Sequence, residues 1–234
     1  MTNHNVETEQ PDSLHDTSVP WTARDAWIGI AILVGTSLLY VIIIPQIMQG
    51  NILESAGLLL LEIFYLLPVL LILPKRNATW QLLGFRKYGK GIVGLGCGLF
   101  IGAYFLVVVH NFILMAFGLP VQGDQISSIF NSLGSPFWLF FVGILIAPVV
   151  EEVLFRGFIF SGFRQSYGWK KAAVLSSTIF ALAHLQPVAF LPTFILGYVF
   201  SYLYQKSNSI LPGIFLHLLT NLFGLLSAFV FSRM

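Results

Sequence analysis

Three charged residues stand close together in a stretch of sequence that is otherwise apolar. Glu151, Glu152 and Arg156 fall within a run that is long enough to cross a bilayer. An ionisable side chain at the centre of a membrane helix costs about 2.5–3.5 kcal/mol on insertion scales, so each one needs a partner or a function. Glu152 and Arg156 are four residues apart and share a helix face, which allows an ion pair.

Glu151 has the properties of a general base. It points about 100° away from the Glu152 face, so its partner must come from another helix. A carboxylate that is removed from water takes up a proton more readily, which is what base catalysis requires. The structural alternative is that all three charged residues only hold helices together.

Two later apolar segments carry further polar side chains. His184 closes the pattern Phe-x-x-x-His, and His217 and Asn221 are four residues apart on one predicted helix face. Histidine serves as base, oxyanion donor or metal ligand, and an asparagine amide can donate to an oxyanion. A lone buried histidine is more often a hydrogen-bonded core residue. Together with Glu151, however, the two histidines predict one polar site within the membrane.

Composition indicates the elements that must carry these residues. The chain has 234 residues, of which 56% are hydrophobic and 9% charged, whereas soluble domains carry roughly 25% charged residues. Since a spanning helix needs about 20 apolar residues, we predict an all-α, polytopic transmembrane helix bundle with about seven spans. The predicted spans are 26–48, 53–74, 91–117, 135–161, 171–186, 188–204 and 209–232. The fifth and sixth could instead be one helix broken at Pro187.

The distribution of Lys and Arg predicts the orientation, because cytoplasmic loops are enriched in both. With the N-terminus inside and the C-terminus outside, the inner segments hold ten of the twelve Lys and Arg residues. Only Arg233 falls outside, and Arg156 lies within the fourth span. The loop 75–90 interleaves apolar and basic residues. It is either a short interfacial element on anionic headgroups or a plain connector.

The chain divides into three predicted regions. Residues 1–24 are polar and acidic and are expected to form a disordered cytoplasmic tail. Residues 25–130 form N-terminal transmembrane helices, and residues 131–234 form the core that carries the chemistry. A net charge of +2 without a basic, aromatic-rich polar segment predicts no nucleic-acid partner. The bilayer is the expected partner, and the small size favours a multi-pass protein of a prokaryotic plasma membrane.

The three polar patterns, in order on successive helices, resemble a known family. Glu-Glu-x-x-x-Arg, Phe-x-x-x-His and His-x-x-x-Asn are similar to the motifs of the CPBP family, which covers CAAX prenyl proteases and bacteriocin-processing proteins and is also called Abi. The similarity covers about residues 135–225 and includes Ser-Asn-Ser-Ile-Leu-Pro-Gly-Ile before His217. The resemblance implies an intramembrane endopeptidase whose cavity opens to the cytoplasm. Its substrate would be a membrane-associated or lipidated peptide or protein.

The resemblance also implies roles for individual residues. Glu151 would activate the water and His184 would help to hold it, while His217 and Asn221 would stabilise the oxyanion. The Glu152–Arg156 pair would fix the geometry.

Whether a metal takes part is left open by the spacing. Glu151, His184 and His217 could supply three ligands to Zn²⁺ and leave the open position that a catalytic zinc needs, as in a metalloprotease. They could equally act without a metal, with Glu151 and His184 sharing the water.

Two functions without proteolysis remain as alternatives. The first is a non-catalytic membrane scaffold or partner-binding protein, similar to a bacteriocin-immunity protein, that keeps the polar cluster for helix packing. The second is a proton-coupled carrier, because membrane carboxylates also relay protons. A carrier is expected to show an inverted repeat or paired half-helices, and the sequence shows neither.

Overall fold

The chain folds into a bundle of α-helices. The computed structural model describes residues 18–47, 51–132 and 136–233, and these contain no strand, which confirms the all-α prediction. The helices are α1 Ala23–Ile47, α2 Asn51–Ile72, α3 Lys90–Ala116, α4 Gln122–Ser132, α5 Phe137–Tyr167, α6 Trp169–Ala183, α7 Phe190–Ser207 and α8 Leu211–Phe231. Short 3₁₀ turns cover Pro74–Arg76, Trp80–Leu83 and Pro187–Ala189.

Six of the described helices are long and apolar enough to cross a membrane, namely α1, α2, α3, α5, α7 and α8. All seven predicted spans are helical, but the fifth, α6, has only 15 residues. It therefore rises about 22 Å, which is less than the hydrocarbon thickness of about 30 Å. The chain is a multi-pass membrane protein in which α6 is shorter than the other predicted spans.

Helices α6 and α7 are separate elements rather than one broken helix. Leu185 takes a left-handed backbone conformation with φ of 53°, which ends α6. Pro187 then starts a 3₁₀ turn, and a proline at that position needs no backbone N–H. The two helices pack against each other on either side of this turn.

An additional helix, α4, was not predicted from the sequence. It is an amphipathic segment of 11 residues between two spans. Ser127 Oγ donates to the carbonyl of Ala228 at 3.1 Å, and the Phe130 and Phe229 rings lie 5.3 Å apart. These contacts fasten α4 to the last turns of α8.

The end of the predicted tail is packed. Trp21 is fully buried, and its Nε1 donates to the carbonyl of Phe158 at 2.9 Å. Gln165 Nε2 donates to the carbonyls of Val19 and Trp21 at 3.0 and 2.9 Å. Residues 18–24 thus differ from the prediction of a disordered tail, because a single large aromatic side chain anchors them. Residues 1–17 lie outside the described part of the chain.

The loop between α2 and α3 docks onto the bundle. Leu83 is fully buried, and a Cβ at Gly157 would lie 2.9 Å from its carbonyl oxygen. The carbonyl of Gly84 accepts a hydrogen bond from the Ile210 amide at 2.9 Å. Residues 80–86 are therefore called the docked loop. They do more than lie on headgroups or connect two spans, because they fill space beneath the start of α8.

Helix α5 forms the centre of the core. Every residue from 150 to 164 is buried, and α1, α2, α6, α7 and α8 all contact this helix. Two stretches of α5, Phe141–Ile146 and Val153–Phe160, have π-helical geometry. They flank the turn that carries the two glutamates. Such wider turns often occur at functional sites.

Candidate active site

Three helices bring one carboxylate and two imidazoles together. Glu151 Oε2 lies 3.9 Å from His184 Nε2 and 3.8 Å from His217 Nε2. Glu151 comes from α5, His184 directly follows α6, and His217 lies in the second turn of α8. Glu151 Oε2 is buried and has no hydrogen-bond partner among the described residues. The three side chains thus surround one small volume in the membrane.

The contacts of the two Nδ1 atoms determine which nitrogen of each imidazole carries the proton. His184 Nδ1 lies 2.8 Å from the carbonyl of Phe180. His217 Nδ1 lies 3.2 Å from Glu152 Oε1. A carbonyl and an ionised carboxylate can only accept, so each Nδ1 carries a proton. In the neutral rings, both Nε2 atoms are therefore acceptors.

Three acceptors consequently face one another across 3.8–3.9 Å. Such an arrangement is unfavourable unless a donor or a cation lies among them. The three acceptors could be satisfied by a water molecule, by an additional proton on one of the groups or by a metal ion. The geometry is thus suited to binding a polarisable water beside a carboxylate.

Glu152 and Arg156 form the ion pair that their spacing predicts. Arg156 Nη1 donates to Glu152 Oε1 at 2.8 Å, and both side chains are fully buried. Arg156 Nη2 also donates to the carbonyl of Gly197 at 3.0 Å, and the guanidinium carbon lies 4.3 Å from the Phe180 ring centre. Because Glu152 Oε1 contacts His217 as well, the pair fixes the orientation of that imidazole.

Two glycines make room for this buried pair. A Cβ at Gly213 would lie 2.8 Å from Glu152 Oε2, and a Cβ at Gly197 would lie 3.1 Å from Arg156 Nη2. Contacts below 3.0 Å force a displacement. Gly213 therefore lets α8 approach Glu152 without a clash, and Gly197 leaves room for Arg156 that a Cβ would make tight.

Aromatic rings enclose the imidazoles. The Phe180 ring packs nearly perpendicular to the rings of His184 and His217, at centroid distances of 4.7 and 5.7 Å. Phe200 stacks on His217 at 5.2 Å. These rings restrict both imidazoles and exclude water from the sides of the site.

Sequence reasoning missed the contribution of α2. The hydroxyl of Tyr65 donates to the carbonyl of Ala183 at 3.2 Å, and Ala183 is the last residue of α6. Tyr65 thereby holds the end of the helix that presents His184. Glu62, one turn earlier on α2, is also buried, and its Oε2 has no described hydrogen-bond partner. The spacing of Glu62 and Tyr65 on one helix face was the available signal.

Asn221 has a structural contact in addition to its predicted role. Its Nδ2 donates to the carbonyl of Gly143 at 2.7 Å, which links α8 to the first π-helical stretch of α5. Asn221 lies one turn beyond His217. An amide nitrogen carries two hydrogens, so this bond leaves one for another acceptor. The oxyanion role of Asn221 stays a prediction.

The predicted zinc ligands are close together but not in a ligand arrangement. Among the described residues, no group of three or more His, Cys, Asp and Glu side chains is placed to hold a metal ion. Two ligands on tetrahedral zinc lie about 3.4 Å apart, given bonds of about 2.1 Å. The observed 3.8 and 3.9 Å are longer, although one carboxylate and two imidazoles are donors that suit zinc. The metal stays a prediction.

Comparison with known proteins places the chain in a family. The family model described as "Type II CAAX prenyl endopeptidase Rce1-like" matches residues 133–223. The UPF0177 protein YxdF of Lactococcus lactis is 30% identical over 133 residues, which are 53% of this chain and 72% of that protein. The chain belongs to the CPBP family. The matched region contains all six residues that the sequence analysis selected, so this confirms the resemblance.

Two further relatives match a larger share of the chain. "Putative membrane peptidase YdiL" of Bacillus subtilis is 25% identical over 178 residues, 74% of this chain and 72% of that protein. An uncharacterised 24.3 kDa protein of Escherichia coli is 28% identical over 172 residues, 70% of this chain and 76% of that protein. No solved structure matches the chain. Membership of the CPBP family supports an intramembrane protease.

Proposed function

We propose that this protein is an intramembrane endopeptidase that hydrolyses a peptide bond with a water molecule activated by Glu151. The observation that carries the proposal is the buried Oε2 of Glu151, which has no hydrogen-bond partner in the described part of the chain and faces two imidazole nitrogens within 4 Å. A water placed there would donate to Glu151 and to His184 at the same time. Geometry of this kind positions the nucleophile before substrate binds.

In the proposed first step, the water oxygen bonds to the substrate carbonyl carbon. Glu151 Oε2 accepts a water proton as this bond forms, and the carbonyl π electrons move to its oxygen. The resulting oxyanion accepts hydrogen bonds from Asn221 and from His217 when Nε2 of that ring is protonated. Glu152 balances the charge of such an imidazolium through the bond to Nδ1.

In the second step, the carbon–nitrogen bond breaks and the protein returns the proton. Glu151 donates the proton that it accepted to the departing nitrogen, which leaves as an amine. The other product is a carboxylic acid. The Glu151 side chain is then ionised again and can accept a proton from another water molecule. A zinc ion on Glu151, His184 and His217 would supply Lewis-acid activation of the same water.

The test is cleavage of membrane-embedded peptides by purified protein and by Glu151→Gln. We expect Glu151→Gln to reduce kcat/KM by at least about 10³-fold, since it removes the proton acceptor. Asp124→Asn is the control, because it neutralises an exposed carboxylate at the start of α4 whose described contact is with the Val121 amide. We expect it to retain cleavage within about fivefold.

A scaffold would give a different result. If neither protein cleaves any of a broad set of peptides while both fold and insert, the proteolytic proposal fails. Full cleavage by Glu151→Gln would leave hydrolysis in place but remove Glu151 from the mechanism.

A further inference from the structure

Helix α2 carries a buried carboxylate that the proposed reaction does not use. Glu62 is buried to the same degree as Glu151, with 8% of each residue exposed. Its Oε2 has no hydrogen-bond partner in the described part of the chain. A charged side chain at the centre of a membrane helix costs about 2.5–3.5 kcal/mol on insertion scales. A partner or a function is therefore expected for Glu62.

The contacts between α2 and α5 determine the level at which Glu62 lies. The rings of Tyr65 and Phe155 are 6.3 Å apart. Three residues later on each helix, Pro68 and Phe158 meet at the same point of α1, since a Cβ at Gly29 would lie 3.3 Å from the first and 2.6 Å from the second. Helices α2 and α5 therefore run in the same direction along this contact.

One helical turn before this contact, each helix carries a carboxylate. Glu62 is three residues before Tyr65. Glu151 is four residues before Phe155. Residues at these spacings share a helix face, and α2 contacts the segment Ala147–Glu152 directly. Glu62 and Glu151 are close enough to interact electrostatically. Glu62 thus lies on the α2 side of the Glu151 cluster.

The charges around these two carboxylates are not balanced. Arg156 pairs with Glu152. In the part of the chain that the structure describes, neither Glu62 nor Glu151 forms an ion pair with a lysine or an arginine. With both imidazoles neutral, three carboxylates of this region are matched by one guanidinium. A positive group beside Glu62 and Glu151 would offset part of the excess, and its attraction is strong where the dielectric constant is low.

We propose that Glu62 binds an ammonium group of the substrate and makes the protein selective for it. The ammonium group is either a lysine side chain or the amino terminus of the peptide, close to the bond that is hydrolysed. An ammonium group donates strong, charge-assisted hydrogen bonds to a carboxylate. The inference rests on the proposed function and names its substrate class, which is a polypeptide with a positive charge near the cleaved bond.

The first experiment measures this selectivity by cleavage. A peptide that the protein cleaves is made with an acetylated amino terminus and with either lysine or norleucine at each position near the cleaved bond. We expect kcat/KM of the unmodified protein to be at least about tenfold higher for lysine at one position. Glu62→Gln should reduce this ratio below about twofold, because it removes the charge and keeps the shape. Glu62→Asp keeps the charge and should retain part of the preference.

A norleucine peptide with a free amino terminus distinguishes the two sources of the ammonium group. A preference for this peptide over its acetylated form, without a lysine effect, assigns the group to the amino terminus. The absence of both preferences, or an equal preference in Glu62→Gln, overturns the proposal. An equal loss of kcat/KM for all peptides in Glu62→Gln also overturns it, because a role in stability or proton transfer would not depend on the charge of the peptide.

A binding experiment separates this proposal from the proteolytic one. Apolar peptides of about 20 residues, with lysine, norleucine or a free amino terminus, are titrated into full-length Glu151→Gln and Glu62→Gln/Glu151→Gln proteins in micelles. We expect Glu151→Gln to bind one ammonium peptide at least about fivefold more tightly than its norleucine or acetylated counterpart, and the double variant to lose this difference. That result supports the Glu62 site even if the unmodified protein cleaves no peptide. Equal affinity for all of these peptides, or binding of none, overturns it.

Discussion

Tyr65 donates a hydrogen bond across 3.2 Å to the carbonyl of Ala183, and it therefore fixes the position of the residue before His184. This bond joins the N-terminal helices to the site, which otherwise consists of α5, α6, α7 and α8. Removing the hydroxyl with Tyr65→Phe keeps the ring and loses about 1 kcal/mol of hydrogen bonding. We expect kcat to fall about five- to tenfold with KM unchanged.

Tyr88→Phe is the control for this prediction, because Tyr88 is an exposed tyrosine near the docked loop. Steady-state kinetics with one peptide substrate would compare the two variants. A loss in Tyr65→Phe that appears only in KM would show that the hydroxyl contacts substrate rather than positioning His184.

Removing one partner of the buried Glu152–Arg156 ion pair should destabilise the protein more than replacing both partners. Arg156→Met leaves Glu152 buried without its cation, and we expect the free energy of unfolding to fall by about 3–5 kcal/mol. The double variant Glu152→Gln/Arg156→Met should recover most of that loss, since no charge is then unpaired. Denaturant-induced unfolding in micelles measures both.

The double variant should recover stability but not the rate of peptide cleavage. His217 loses its ionised partner at Nδ1 in the double variant, so cleavage should stay at least about tenfold reduced. If cleavage returned to the original rate, Glu152 would have no part in orienting His217.

Gly213 should resist substitution. Gly213→Ala places a Cβ 2.8 Å from Glu152 Oε2, and we expect it to lower the free energy of unfolding by about 1–3 kcal/mol. Gly224→Ala, on the same helix with nothing within 4 Å of the added Cβ, is the matched control. It should be neutral or slightly stabilising, because alanine favours helix over glycine. Equal destabilisation by both would remove the steric explanation.

The docked loop gives a test of whether residues 80–86 must move during cleavage. Arg86→Cys and Ser209→Cys in the Cys97→Ser background can be joined by a short bismaleimide, because Ser209 Oγ already contacts the Arg86 carbonyl. We expect the cross-linked protein to retain cleavage within about twofold, since the loop need not move. The single Arg86→Cys variant treated with the same reagent is the control. Loss of cleavage only in the cross-linked protein would show that the loop must open.

A metal requirement is tested by elemental analysis of purified protein together with cleavage in the presence of a chelator. If Zn²⁺ is used, about one ion per chain should be found, and chelation should abolish cleavage until zinc is restored. His184→Ala should then lower zinc content as well as activity. Full activity of a zinc-free preparation would contradict the metalloprotease prediction.

Short-range pattern was enough to predict much of the fold and the composition of the site. The apolar runs predict the helices, and the spacing of Glu152 and Arg156 predicts their ion pair, since both depend on residues that are close in sequence. Trp21 could not be placed in this way, because its partner Phe158 is 137 residues away. The spacing of Tyr65 and Glu62 marks a polar helix face, but the contact of Tyr65 with Ala183, 118 residues away, could not be predicted. The docked loop likewise depends on distant contacts, with Gly157 of α5 and with Ile210 just before α8.

The length of α6 was also not predictable. The sequence remains apolar through Leu185, so hydropathy extends the span to Gln186, whereas the helix ends at Ala183. A left-handed residue at position 185 ends it, and leucine gives no signal for that conformation. This early end leaves His184 directly after the helix, where its Nε2 lies 3.9 Å from Glu151 Oε2.

The most direct measurement compares binding and cleavage of one peptide by the same Glu151→Gln protein. The expected result is a dissociation constant within about threefold of that of the unmodified protein, with a cleavage rate at the uncatalysed background. Cleavage at more than about one tenth of the unmodified rate would contradict the assignment of Glu151 as the group that activates water.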